Sequence, residues 1–291
     1  VKNYLLILLL FVFSSCLKLD DIAFINESIN EYQLDNYDDD IDFRLDSSYS
    51  VEDIHFLTLN SEEFEIAAIY IGDINTISTD TIILYSHGQS LHMDYYWQRA
   101  KLLANCGSKN RFGVLMYDYR GYGLSQGNPT ENGLYSDIRA AFQWLIDNGS
   151  LPERIVSYGF SLGSAPATDL MAFGHNSQFP SKLILESPFA SADFITQEST
   201  IIDVSASFIT TLEFDNTEKI KLVSQPFMWL HGIDDDYVAI TNGEAIIAHY
   251  SGVDSSYFRV VGAKHGKNGV PQTMGFDNYL SEIETFLIDD D

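Results

Sequence analysis

The chain has 291 residues, 45% of them apolar and 20% charged, proportions that exclude wholesale disorder. Sixteen Lys and Arg stand against 42 Asp and Glu, a formal charge of −26 at pH 7. That balance excludes nucleic acid as a partner, since each phosphate neutralised needs a basic group, and it excludes docking on anionic lipid by charge alone.

Residues 1–15 read as a secretory signal: Lys2, an apolar run from Leu5 to Phe13, then the small residues Ser14 and Ser15. The run is too short to span a hydrocarbon layer, which takes about 20 residues as a helix. Small residues directly before Cys16 resemble the bacterial lipoprotein box. The resemblance implies cleavage before Cys16, acylation of its sulfur and new amino terminus, and a place in the bacterial cell envelope, lipid-anchored to a membrane. Residues 16–50 then comprise the lipidated cysteine and an acidic tether. Asp35, Asp38, Asp39, Asp40 and Asp42 crowd a stretch with no helical or strand period, and the spacing of a calcium loop is missing. A solvated linker is expected there. The second thiol, Cys106, has no partner base and is expected to pack as a small hydrophobe. Two cysteines cannot form a disulfide framework, and no CxxC or paired-histidine spacing suggests a metal site.

Residues 51–291 alternate between strand and helix patterns. Val51–Leu59 and Phe64–Ile71 open as strands, and the β-branched run Thr81–Tyr85 leads into Ser86-His87-Gly88. Helical spacing covers Tyr95–Ala104, a strand covers Phe112–Tyr117, and a second helix covers Leu134–Asn148. Further strands are expected at Arg154–Tyr158, Lys182–Glu186, Pro226–Leu230 and Tyr257–Val261, with a closing helix over Thr273–Ile288. Such alternation predicts an α/β fold with a mostly parallel central sheet flanked by helices. Ligands of such sheets bind beyond the carboxyl ends of the strands.

The segment Gly159-Phe160-Ser161-Leu162-Gly163 joins a strand to a helix-compatible stretch, the context a nucleophile elbow requires. A serine of ordinary acidity needs a base, and the base needs an orienting acid. Of seven histidines, His55, His87 and His92 precede the serine, and His175 and His249 lie in helical stretches. His231 ends a strand but abuts an acid cluster. His265 follows the last strand in a loop that can aim it at Ser161. For the acid, Asp234, Asp235 and Asp236 are neighbours that spacing cannot separate, with Glu186 a fourth candidate. An oxyanion hole would take the N–H of Leu162 and that of Gln89, which follows Gly88 at a strand end.

Together these segments resemble the α/β-hydrolase superfamily. Tyr117–Ser125 is similar to the D-Y-R-G-Y-G-x-S segment of one branch, as are Pro129–Asp137, Glu186-Ser187-Pro188-Phe189 and Phe214-Asp215-Asn216. That branch holds membrane-associated serine hydrolases: depalmitoylating thioesterases, lysophospholipid and monoacylglycerol lipases, and bacterial proteins labelled serine aminopeptidase-like. Its H-G-x-x-D-x-x-V motif fits His231–Val238 and so selects Asp235; its H-G-x segment fits His87-Gly88-Gln89. Lys264 stands where the family usually has Gly before His, and Phe160 fills the variable elbow position. The resemblance implies a serine hydrolase cleaving carboxylic esters or thioesters of small-molecule or lipid substrates, with Ser161, His265 and Asp235 as triad and no metal or organic cofactor. A serine peptidase using the same triad is the alternative, and a non-catalytic surface lipoprotein the alternative of another class. Gln197–Leu212 has room for a small lid and no large cap.

Overall fold

The computed structural model describes residues 23–109, 111–192, 212–252 and 254–288. The signal segment and Cys16 lie outside these residues, as does most of the stretch in which a lid is expected. In chain order the strands are β1 (Ile25–Asn26), β2 (Ile54–Ser61), β3 (Phe64–Ile71), β4 (Ile82–Ser86), β5 (Ser90–Leu91), β6 (Gly113–Tyr117), β7 (Ile155–Phe160), β8 (Lys182–Glu186), β9 (Phe227–Gly232) and β10 (Ser255–Val260). The helices are α1 (Met93–Leu103), α2 (Glu131–Asp147), α3 (Ser164–Phe173), α4 (Asn216–Lys219), α5 (Ile240–His249), α6 (Val270–Met274) and α7 (Phe276–Ile288).

Eight strands form one sheet in the order β10-β9-β8-β7-β4-β6-β3-β2, and β1 pairs with β5 beside it. β2 and β3 form an antiparallel hairpin and β3 meets β6 antiparallel; every other pairing in the sheet is parallel. The parallel strands are continuous apolar runs because both of their faces are covered. Along β4, Ile82 and Leu84 point to one face, where they join Leu134 and Phe142 of α2 and Leu170 of α3. Ile83 and Tyr85 point to the other, where they join Trp97 of α1 and Ile283 of α7. The strand period of two thus feeds two cores, one on each side of the sheet.

The strands and helices read from the sequence are present, the short β1, β5 and α4 were not read, and the boundaries move for local reasons. α2 begins at Glu131 because Thr130 caps it, its hydroxyl accepting the Gly133 N–H at 3.0 Å. The closing helix is two helices, broken where Gly275 takes φ 81°. His175 lies just past the end of α3, not within a helix.

The acidic segment departs most from expectation. Residues 24–50 belong to the folded body, with Phe24, Ile41 and Phe43 buried. Asp94 in the first turn of α1 accepts the backbone N–H groups of Gln33 at 2.9 Å and Leu34 at 2.7 Å. Tyr32 donates to Asp118 at 2.5 Å, Asp35 pairs with Lys101 at 2.5 Å, and Asp42 pairs with Arg99 at 2.9 Å. Asp35 and Asp42 are spent on cations of the body, while Asp94 and Asp118 of the body hold the amides and the tyrosine of the segment, and the chain follows that surface instead of forming a periodic element. A solvated tether is therefore not what residues 24–50 are.

Asp94→Ala removes both acceptors at once and leaves two amides without their partner, a loss of about 1–3 kcal/mol. Proteolysis of a transiently opened segment tracks its open population. Cleavage within residues 24–50 is expected to quicken about tenfold or more in Asp94→Ala. Limited proteolysis read by mass spectrometry checks this, and an unchanged cleavage rate contradicts the docked segment.

Candidate active site

β7 ends at Phe160, and Ser161 opens the turn into α3 with φ 52°. A left-handed conformation of this kind is strained for a side chain with a Cβ and persists only where the surroundings impose it. They do so through close backbone contact. A methyl group at Gly159 would lie 2.4 Å from the carbonyl oxygen of Gly163, and one at Gly163 would lie 2.0 Å from that of Ser86. The two glycines let the turn sit directly against the end of β4. Behind Ser161 the first turn of the helical stretch leaves amide N–H groups without intrahelical partners, with the positive end of the dipole nearby.

Asp235 lies in the loop after β9 and His265 in the loop after β10, both at the carboxyl edge of the sheet. His265 Nε2 is 2.8 Å from Ser161 Oγ, and its Nδ1 is 2.9 Å from Asp235 Oδ2. The other Asp235 oxygen accepts the backbone N–H groups of Tyr237 at 3.0 Å and Val238 at 2.8 Å. His231 Nε2 lies 3.4 Å from Asp235 and 2.9 Å from the Val238 carbonyl oxygen. Burial alone would raise the Asp235 carboxyl; hydrogen bonds from His231 and His265 outweigh it and hold the group well below the usual carboxylate range. An ionised carboxylate at Nδ1 fixes the tautomer that presents a bare Nε2 to the serine hydroxyl.

The remaining candidates are engaged elsewhere. Asp234 accepts the N–H of Gly262 at 2.9 Å, and Asp236 pairs with Lys264 at 3.0 Å. Lys264, the departure from the family pattern, thus ties one exposed loop to another. Glu186 is fully buried against Arg99, Tyr158 and Tyr279. His87 is buried with Nε2 3.1 Å from Asp118 and Nδ1 2.7 Å from the Gly88 carbonyl oxygen. His92 is buried beside Asp94.

Gln89 ends the β4 loop, its carbonyl accepting from the Tyr122 hydroxyl at 2.9 Å and from the Ile25 N–H at 3.1 Å. Its side-chain amide donates to the Tyr237 hydroxyl. Tyr237 and Phe160 are contacts that the sequence reading did not assign. The Tyr237 ring lies 5.1 Å from the His265 ring, and the Phe160 ring lies 5.3 Å from it at an interplanar angle of 30°. Both adjoin motif residues in sequence, and that adjacency was the only available signal.

Cys106 is buried, its sulfur donating to the Leu280 carbonyl at 3.4 Å. Burial, with a smaller contribution from Glu284, pushes its thiol up to about 12. Cys106 of the native protein is expected to resist iodoacetamide at pH 8 because almost none of it is thiolate, and to react once the chain is unfolded in guanidinium. Rapid alkylation of Cys106 in the folded chain, located by peptide mass spectrometry, would contradict this placement. At the elbow, Gly163→Ala forces its new methyl group into the Ser86 carbonyl. It should displace Ser161, read as loss of labelling of the Ser161 hydroxyl by a fluorophosphonate together with a lowered melting temperature.

The family described as serine aminopeptidase, S33 matches residues 77–225. The chain is 30% identical over 196 residues to human alpha/beta hydrolase domain-containing protein 17B, covering 66% of this chain and 62% of that protein. It is 32% identical over 165 residues to alpha/beta hydrolase domain-containing protein aho-3 of Caenorhabditis elegans, covering 56% of this chain and 46% of that one. The chain thus spans less than two thirds of the length of these relatives. Among solved structures it is similar to an esterase of Pyrococcus furiosus, with TM-score 0.60 and 16% identity over 85% of this chain and 94% of that one. It is also similar to an alpha-beta hydrolase of Vibrio vulnificus, with TM-score 0.61 and 23% identity over 80% of this chain and 81% of that one.

Proposed function

The chain belongs to the α/β-hydrolases, in the family described as serine aminopeptidase, S33, and on that premise we propose that it is a serine hydrolase cleaving carboxylic esters or thioesters. The observation that carries the reading is the unbroken line from Asp235 through His265 to Ser161, with contacts of 2.9 and 2.8 Å. Ser161 Oγ attacks the acyl carbon while His265 Nε2 takes its proton. The tetrahedral intermediate places negative charge on the former carbonyl oxygen, and the N–H groups of Leu162 and Gln89 bind it. Collapse expels the alkoxide or thiolate, which leaves with the proton held by His265. Water then attacks the acyl-enzyme with the same base, releasing the carboxylic acid and restoring Ser161. Asp235 remains ionised throughout, orienting the imidazole and stabilising its cation.

The likeness of the fold to the esterase of Pyrococcus furiosus is consistent with this reading. A fluorophosphonate probe is expected to label the wild-type protein and to fail with Ser161→Ala. Asp235→Asn should lower kcat on the order of 10⁴-fold by presenting the wrong tautomer, whereas Asp234→Asn and Asp236→Asn should have mild effects. Equal losses at Asp234 and Asp235 would remove the assignment of the acid. A panel of p-nitrophenyl esters against aminoacyl anilides separates esterase from peptidase. Turnover of the anilides alone would favour the peptidase reading that the family description carries.

We also propose, from the sequence alone, that Cys16 carries a lipid anchor. The protein should then fractionate with membranes, and Cys16→Ser should leave it unprocessed or mislocalised.

A further inference from the structure

Behind Phe160 lies a buried charge cluster that the hydrolytic reaction does not itself use. Arg99 of α1 is 5% exposed and Glu186 at the end of β8 is fully buried. Arg99 Nη1 donates to Glu186 at 2.8 Å, and its Nε donates to Asp42 of the N-terminal segment at 2.9 Å. The second Glu186 oxygen accepts the hydroxyls of Tyr158 at 2.5 Å and Tyr279 at 2.9 Å. Four side chains from four separate parts of the chain therefore fix one guanidinium, Asp42 and Glu186 directly and the two tyrosines through Glu186.

That guanidinium faces an aromatic ring. The central carbon of Arg99 lies 3.8 Å from the centroid of Phe160, a cation–π distance, and Nη2 has no hydrogen-bond partner among the described residues. Phe160 in turn lies against the His265 imidazole at 5.3 Å. Asp42 reaches the same loop a second way: a methyl group on Gly266, directly after His265, would lie 2.5 Å from its carboxylate. The cluster thus touches both the ring neighbour of His265 and the backbone that carries it.

The His265 imidazole turns about its Cβ–Cγ bond, and such a turn swings both ring nitrogens away from Asp235 and Ser161. Packing against a fixed ring removes that freedom. We infer that Arg99, clamped by Asp42 and Glu186, is a positioning residue that acts through Phe160 to set the plane of the His265 ring. The inference rests on reading His265 as the base. It explains an aromatic residue at the variable elbow position and an otherwise unused arginine buried between two carboxylates. It also gives the docked N-terminal segment a part in the site.

Two substitutions test it on a p-nitrophenyl ester. Phe160→Leu keeps an apolar side chain but removes the ring face. Arg99→Lys keeps the buried positive charge for Glu186 but cannot stack as a planar fork. Misorientation of a catalytic group by about 1 Å costs up to about 10²-fold, so Phe160→Leu should lower kcat about tenfold and Arg99→Lys about threefold. KM should stay within about twofold of wild type in both, because orientation of the base is an effect on kcat. Melting temperatures establish that each variant is folded, and Arg99→Lys keeps the question answerable if Phe160→Leu is not. Wild-type kcat in the folded variants, or a rise in KM with kcat unchanged, overturns the proposal. His265→Ala serves as the control. If it is inactive while the other two match wild type, only the positioning role falls; if it retains full activity, the reading of His265 as base falls too.

Discussion

The geometry of the site depends on one close approach, that of the Gly163 backbone to the carbonyl oxygen of Ser86. No side chain fits between them. Because the turn after β7 packs directly on the end of β4, Ser161 is held at φ 52° with its hydroxyl 2.8 Å from His265. Strain of this kind costs on the order of 1–3 kcal/mol and survives only when surrounding structure over-determines it. Here β7 is hydrogen-bonded to β4 on one side and β8 on the other, which leaves the strand no means of relaxing. The distance constraint at Gly163 thus becomes an angular constraint on the nucleophile.

Asp235 and His265 reach Ser161 because β9 and β10 are parallel neighbours that release their loops at the same edge. Asp235 is held by two backbone N–H groups of its own loop, so its position does not depend on His265 being present. His231, at the end of β9, adds an imidazole near the same carboxylate. Asp235 is therefore set by its loop, whereas His265 is set by its partners: the Asp235 carboxylate, the Ser161 hydroxyl and the rings of Phe160 and Tyr237.

Much of this was legible in the sequence, and what was not has physical reasons. Strands such as Ile82–Ser86 are read from continuous apolar β-branched runs, and a serine between two glycines at a strand end is a local signature. Asp235 could not be separated from Asp234 and Asp236 by spacing, since all three share one loop; the motif resemblance singled it out, and the folded loop adds the side-chain direction that spacing lacks. Arg99 carried no signal, because its partners Asp42 and Glu186 are 57 and 87 residues away in the chain. The acidic stretch misled for a related reason. Acidity reads as solvation when its counter-charges are distant, and Lys101 and Arg99 lie on a helix that the sequence gives no cause to pair with Asp35 and Asp42.

Under the proposed function, Ser161 carries the acyl group during turnover. Rapid-quench kinetics with p-nitrophenyl acetate, followed by peptide mass spectrometry, addresses it most directly. A burst of one p-nitrophenolate per chain and one acetyl group on the peptide containing Ser161 are expected. Steady hydrolysis with no burst and no adduct at any quench time, or an acetyl group on a different residue, would contradict it.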